Sequence, residues 1–402
     1  VHWFELYLLI FITYCSKIFL VGPGNFWFEK NTIGDDKSLF YRGYSVILIS
    51  TYILMTGLEW IATFIGDFPE DEQRDCLTFS VSHTIVLIKI ASIIRNKELI
   101  KSLNERIIRV CERIEDPALM VKKYKNIKTN VIIYFCIVFG SVICFVFEGL
   151  RKLFTGSHFV VIVTYYPTYE DNSVAATLTR ILFTIILCLM MMTMIISVDS
   201  FTMMYLIIYK YKFITLRRYF EDLGEEFKKL NAAGNNILAR EKLCEGLVYG
   251  ISMHGEVIGL SKDIDKAFGT AMASQLCLSS GSSVTLLLQL ALTDNLTVVA
   301  TMKVIFFAFA LFFLLGLFLC NAGEITYQAS RVTDAIFYCG WHACPTHHKR
   351  RNIRKIIHFS IANAQKPLVM KAFKMIELTY ATFLSVLRMT YSVFALIYAQ
   401  NK

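Results

Sequence analysis

Apolar residues in this chain gather in runs long enough to cross a bilayer, separated by polar segments rich in Lys and Arg. A helix needs about 20 mostly apolar residues to traverse the hydrocarbon core. Seven segments qualify: 44–66, 76–95, 128–150, 174–209, 272–293, 302–323 and 375–399. The six prolines fall in the loops or at helix boundaries, so the spans are predicted to run largely unkinked. The fourth run is long enough to project beyond the bilayer, and the sixth continues through polar sequence towards Tyr338. Both are predicted to extend as amphipathic helices that pack into a cytosolic subdomain.

A further apolar stretch, 4–21, carries Glu5 and Lys17, ends at Gly22-Pro23-Gly24 and lacks a small-residue cleavage signal. It reads as a short helix dipping into the membrane. Counting it as an eighth span is the alternative; that would move the N-terminus outside, at the expense of two charges in hydrocarbon. Residue 1 is Val, so the natural start is expected upstream.

Lys and Arg set the orientation. Loops 96–127, 210–271 and 331–374 hold 8, 10 and 9 of them, whereas loops 67–75, 151–179 and 294–303 hold 1, 2 and 1. The positive-inside rule makes the first set cytoplasmic, with the N-terminus inside and the C-terminus outside, opposite to a G-protein-coupled receptor. The sequon Asn295-Leu296-Thr297 falls in a loop that this topology makes extracellular, so Asn295 is a candidate glycosylation site.

Composition agrees with this picture. Of 402 residues, 55% are hydrophobic and 18% charged, with mean hydropathy +0.51, against roughly a quarter charged in a soluble domain. The net charge of +9 is explained by loop topology, so nucleic-acid binding is not expected. Most of the eleven cysteines lie inside apolar runs and behave as small hydrophobes.

Chemistry-bearing clusters are few. Cys339, His342, Cys344, His347 and His348, in YCGWHACPTHH, have donors and spacing that zinc could accept. The competing reading is a helix end, with Trp341 and Tyr338 packing on neighbours, Pro345 stopping the helix, and the basic run 347–355 facing cytosol or headgroups. The helix end is preferred, and no metal or cofactor is expected. Ionisable residues within the runs are Glu59, His83, Lys89, Glu148, Arg180, Asp199, Glu377 and Arg388. Charge at that depth points to function by default; snorkelling or mutual pairing is the expectation for Lys89, Glu148 and Arg180. Arg388 lies mid-span in a helix that also offers Thr382, Ser385, Thr390, Tyr391, Ser392 and Gln400, polarity that suits water or other subunits. There is no GxSxG, HExxH or phosphate-binding glycine loop, so catalysis finds no support. Phe, Ile, Met and small residues in the outer halves of several spans would suit a cavity for a small apolar ligand, held by burial at about 25 cal/mol per Å².

Two C-terminal runs, GEITYQASRVTDAIFYCGWHACP (323–345) and AQKPLVMKAFKMIELTYATFLSVLRMTYSVFALI (364–397), resemble the signature of the last two spans of insect odorant receptors. Similar to that family too are the first segment ending at Gly22-Pro23, TYYP at 164–167, and SMHGEVIGLSKDIDKAF at 252–268. The expected fold is therefore an all-α membrane protein. It has seven transmembrane helices, a cytoplasmic N-terminus, an extracellular C-terminus and a helical cytosolic anchor domain.

The resemblance implies a ligand-gated, non-selective cation channel of four subunits, each contributing its last span to one pore. It implies an odorant-specific subunit working in a heterotetramer with a common co-receptor, because the loop between the fourth and fifth spans lacks the co-receptor's long insertion and the tail departs from its ending. It also implies small volatile odorants as ligands, and the plasma membrane of olfactory-neuron dendrites as the location. Domains would run as follows: an N-terminal segment, 1–43; a ligand-binding bundle, 44–209; anchor segments, 210–271 and 324–374; the fifth and sixth spans, 272–323; and a pore helix with its tail, 375–402.

By the same match Leu396 becomes the hydrophobic gate, with Gln400 one turn further out; Arg388 is family-typical rather than a filter. The family shares a pocket location, between the second, third, fourth and sixth spans, rather than a residue motif. The expected lining is Phe79, His83, Phe139, Gly140, Ile143, Phe147, Ile181, Thr184, Phe306 and Phe309, the last two sharing a helix face. A gustatory-receptor-type channel is the alternative; Thr390-Tyr391 fits its ending, but no QF occurs. A transporter would be expected to show repeat symmetry between its halves, and no internal repeat appears.

Overall fold

The computed structural model describes residues 39–292, 297–344, 347–348, 351–373 and 375–400; the segment 4–21 and Asn295 lie outside them. Among the described residues the helices are α1 (Leu39–Ile65), α2 (Glu70–Arg95), α3 (Lys97–Arg109), α4 (Pro117–Phe154), α5 (Val174–Ala232), α6 (Asn236–Leu292), α7 (Val298–Tyr338), α8 (Ile353–Ala364) and α9 (Tyr380–Gln400). Seven of these, all but α3 and α8, are long and apolar enough to cross a membrane. They fall on the seven runs read from the sequence, and the chain is a multi-pass membrane protein. Two short antiparallel pairs complete the fold: β1 (His347–His348) with β2 (Arg351–Asn352), and β3 (Lys371–Ala372) with β4 (Ile376–Glu377).

Side chains fix where several helices begin. Asp116 accepts from the Ala118 N–H at 3.0 Å with Pro117 in the first turn of α4. Ser173 accepts from the Ala176 N–H at 3.1 Å, and Thr297 from the Ala300 N–H at 3.3 Å. Each satisfies a donor that the helix cannot pair internally. α7 stops at Tyr338, ahead of Pro345, because Gly340 takes φ +93°, a left-handed conformation that side chains disfavour. Tyr338 is exposed rather than packed, whereas Trp341 meets His358 edge-on at 5.0 Å. Among the described residues no group of three His, Cys, Asp or Glu could hold a metal ion.

The sequence predicts that the fourth span projects beyond the bilayer as helix, and the structure carries helix through nearly all of the basic segment 210–271. α5 runs 59 residues and α6 runs 57, joined by a turn at Gly234, whose φ is +83°. Charge identifies the side of the membrane and says nothing of backbone conformation; here Leu223 and Phe220 of α5 close on Gly246 and Gly250 of α6, where a Cβ would stand 2.5 and 2.6 Å from them.

α5 is the central post. Residues 198–213 are all buried, so this stretch meets protein on every side. Tyr205 packs on Phe268 of α6 at 4.7 Å between ring centroids. Ile100, Leu103 and Ile107 of α3 turn inward at helical spacing. The two lysines in this buried stretch are satisfied: Lys212 donates to Glu115 at 2.6 Å and to the Val110 carbonyl at 2.8 Å, and Lys210 reaches Asn321 at 3.4 Å. α9 contacts α6 and α7. Tyr380 at its start donates to Glu324 at 3.1 Å, yet along α9 only Thr390 is buried.

Candidate ligand cavity

A cavity of about 60 Å³ lies between α2, α4, α5, α6 and α7. Helical spacing determines who faces it. Tyr134, Val138, Ser141, Val142 and Phe145 form one stripe of α4; Cys188, Met191, Ile195 and Asp199 form one of α5; Phe307, Ala310, Leu311 and Leu314 form one of α7. Phe79 and Ser82 of α2, Gln275 and Leu278 of α6, and Val161 and Ile162 of the loop after α4 complete it. Gly149 admits that loop: a Cβ there would stand 2.6 Å from Val161 Cγ2, closer than packed atoms come. The loop is pinned by the Tyr165 N–H donating to the Leu58 carbonyl at 3.1 Å.

One end of the cavity is aromatic. The rings of Phe79, Phe145 and Phe307 meet pairwise at 4.9, 5.3 and 6.0 Å, within the range of favourable edge and offset contacts. Behind them Lys303, paired with Asp75, stands 5.1 Å over the Phe145 ring, and Gln289 donates to Asp75 at 3.2 Å.

The other end is polar. Lys89 of α2 donates to both oxygens of Asp199 at 2.8 and 3.1 Å, and to Gln275 of α6. Tyr134 of α4 donates to Asp199 at 2.5 Å. Three helices are thus tied through one buried carboxylate and a fourth through the Lys89 ammonium, the arrangement that makes buried charge tolerable.

Of the ten residues expected to line a pocket, only Phe79 lines this one. His83 is turned towards α1, 2.6 Å from Glu59 and fully buried, and backs Phe79 at 5.9 Å. Phe139 stacks on Phe135 at 4.1 Å. Thr184 is buried elsewhere on α5 and Ile181 is half-buried. A Cβ on Gly140 would meet nothing within 4 Å. Ile143, Phe147, Phe306 and Phe309 are exposed on the outer faces of α4 and α7. Phe139, Gly140, Ile143, Phe306 and Phe309 each lie one residue, about 100° of helix, from a lining residue, whereas Thr184 and Ile181 share the face of Cys188 one and two turns nearer the start of α5. The signal that finds the inner faces is polarity: Ser141, Tyr134, Asp199 and Gln275 cannot face lipid cheaply.

Lys89 pairs across the bundle, as above; Glu148 pairs with Arg151 at 2.8 Å, and Arg180 donates to the loop carbonyls of Thr168 and Asp171 at 2.7 and 2.8 Å. Leu396, Gln400 and Arg388 are all exposed on α9.

No curated protein sequence matches the chain. Among solved structures it is similar to the insect olfactory receptor OR5 from Machilis hrabei, with TM-score 0.74 and 13% identity over 96% of each chain. It is equally similar to that receptor in complex with eugenol, with TM-score 0.74 and 13% identity over 99% of each chain. Residues 72–391 match the family model described as 7tm odorant receptor. Seven spanning helices, five of them around an apolar cavity, in a sequence most of which carries that family's pattern, make this chain a member of the odorant receptor family, a family of receptors and not of enzymes.

Proposed function

We propose that the chain is an odorant-specific subunit of a ligand-gated, non-selective cation channel, assembled as a heterotetramer with a common co-receptor, and that small volatile odorants bind in the cavity between α2, α4, α5, α6 and α7. The observation that carries the ligand site is the cavity: apolar walls with a few polar atoms at one end, the usual chemistry of a small-molecule site. The eugenol complex of a receptor with the same fold supports a small, mostly apolar ligand.

At about 60 Å³ the space is smaller than the roughly 150 Å³ that accepts a benzene-sized molecule. Occupancy therefore requires the walls to part, which is how a ligand would favour one arrangement of the bundle over another. α6 connects the two functions: Gln275 and Leu278 face the cavity, and the same helix contacts α9. The uncovered length of α9 supports its place in a pore shared between subunits, with Leu396 as a gate that closes by dewetting, Gln400 further out and Arg388 along the helix. The N-terminus is read as cytoplasmic and the C-terminus as extracellular, in the plasma membrane of sensory dendrites.

The test is current in cells expressing this chain alone, the co-receptor alone, both or neither, under a panel of volatile odorants. Odorant-gated cation current confined to cells with both is expected. Odorant-gated current from this chain alone, or none in any condition, overturns the pairing.

A further inference from the structure

The cavity's hydrogen-bonding inventory is lopsided. Ser82 donates its hydroxyl proton to the Thr78 carbonyl at 2.7 Å, and Ser141 donates to the Val138 carbonyl at 2.8 Å. Tyr134 donates to Asp199 at 2.5 Å. Asp199 itself only accepts while ionised. The Gln275 amide is oriented by chemistry: Lys89 has donors only, so the carbonyl oxygen faces Lys89, and the amide nitrogen donates to Ser279 at 3.3 Å. Of the hydroxyl, carboxylate and amide groups lining the cavity, one N–H of Gln275 is the single donor left over. The lone pairs of Ser82, Ser141 and Tyr134, by contrast, are available to accept.

We infer that the cavity selects neutral ligands carrying a hydroxyl group, alcohols or phenols, over ketones, esters and ethers built on the same skeleton. A ligand O–H adds a hydrogen bond to an oxygen whose own proton is already placed, and no existing bond is given up. A ligand with acceptors only must compete for the Gln275 N–H or pull a serine or Tyr134 hydroxyl from its present partner, giving up a hydrogen bond already made. Because Lys89 already pairs with Asp199, the polar end offers no uncompensated negative charge, and a protonated amine would leave its hydration shell for little return. Specificity thus comes from which protons the protein has already placed. This inference rests on the cavity being the odorant site.

The experiment is a concentration-response panel on cells expressing the chain with the co-receptor. Linear, branched and aromatic alcohols are each compared with the methyl ether and the ketone of matching skeleton. The alcohols should act at concentrations about five- to tenfold lower, the size of one net hydrogen bond. In a Ser82→Ala, Ser141→Ala double variant that advantage should shrink towards parity. Ala310→Phe, which fills the cavity from α7, separates the two readings. If it abolishes the responses at normal surface labelling while the unaltered receptor treats alcohol and ether alike, the hydroxyl preference falls and the site stands. If it leaves every response in place at normal surface labelling, the site itself falls and the inference with it. Silence towards every alcohol, or an advantage for ethers or ketones, overturns the inference.

Discussion

Replacing Lys89 by Met strands the Asp199 carboxylate inside the bundle, with Tyr134 as its remaining donor. At 2.8 Å and an effective dielectric of about 20, the attraction within the pair is about 6 kcal/mol. Removing one partner of a buried pair destabilises by about 3–5 kcal/mol, because the survivor keeps its desolvation penalty. Unfolding entropy near 60 °C is about 2.1 cal/mol/K per residue, so over 402 residues a loss of about 4 kcal/mol lowers the melting temperature by about 5 °C.

Asp199→Leu should lose a similar amount by stranding Lys89. The double variant, Lys89→Met with Asp199→Leu, should lose no more than either single one, since no charge is left unpaired and the residual loss is that of Tyr134 and Gln275 without partners. The measurement is fluorescence-detected size exclusion of the solubilised receptor after heating through a temperature series. Strict additivity, with the double variant losing about twice as much as each single one, would refute the claim that the two charges are held as a pair.

Other substitutions probe the remaining assignments. Phe306→Ala and Phe309→Ala, on exposed positions of α7, should leave odorant concentration-response curves within about twofold, whereas Phe307→Ala should shift them by about tenfold, losing more than a kcal/mol of apolar contact; equal effects would contradict the helix face assigned here. Gly149→Val forces a side chain into the space held by Val161, and should weaken odorant potency while surface biotinylation reports the folded fraction; an unchanged curve would mean that the loop does not wall the cavity. Leu396→Ala should raise the ligand-independent current of the assembled channel by thinning the apolar ring, and a resting current equal to that of the unaltered subunit counts against the gate. Asn295→Gln should abolish a glycosidase-sensitive shift on a denaturing gel, and absence of that shift in the unaltered protein would leave this outer loop without chemical support.

The bundle could be read from composition alone, because crossing hydrocarbon leaves a chain little choice: about 20 apolar residues in a helix with every backbone group paired internally. The faces of those helices could not. On a soluble helix water marks the outside, but α4 exposes Phe135 and Phe147 and turns Phe145 to the cavity, and lipid is as hospitable to an aromatic ring as a protein interior. A choice among phenylalanines was therefore a choice without a gradient. What did carry information was the rarer polar residue: Lys89 and Asp199 stood out in the sequence as charges within apolar runs, and they meet. Their meeting is a long-range fact, linking residues 110 positions apart, which no local pattern encodes. The projection of the fourth span beyond the bilayer, by contrast, was legible in its length, and α5 carries it out as a rod of 59 residues.

That rod has a mechanical consequence. α5 contains no proline across its 59 residues, and at about 1.5 Å per residue it spans about 88 Å. Asp199, clasped by Lys89 and Tyr134, stands about 16 Å along the axis from Cys188 in the cavity wall and about 50 Å from the tip at Ala232. A stiff beam turning about that clasp is a lever with a short arm beside the cavity and an arm three times longer beyond it. A sideways step of about 1 Å at Cys188, on the scale of a wall parting for one methyl group, becomes about 3 Å at the far tip. The charge cluster is then a fulcrum as well as the end of a pocket, and its stiffness sets how much of a small molecule's bulk is converted into travel elsewhere.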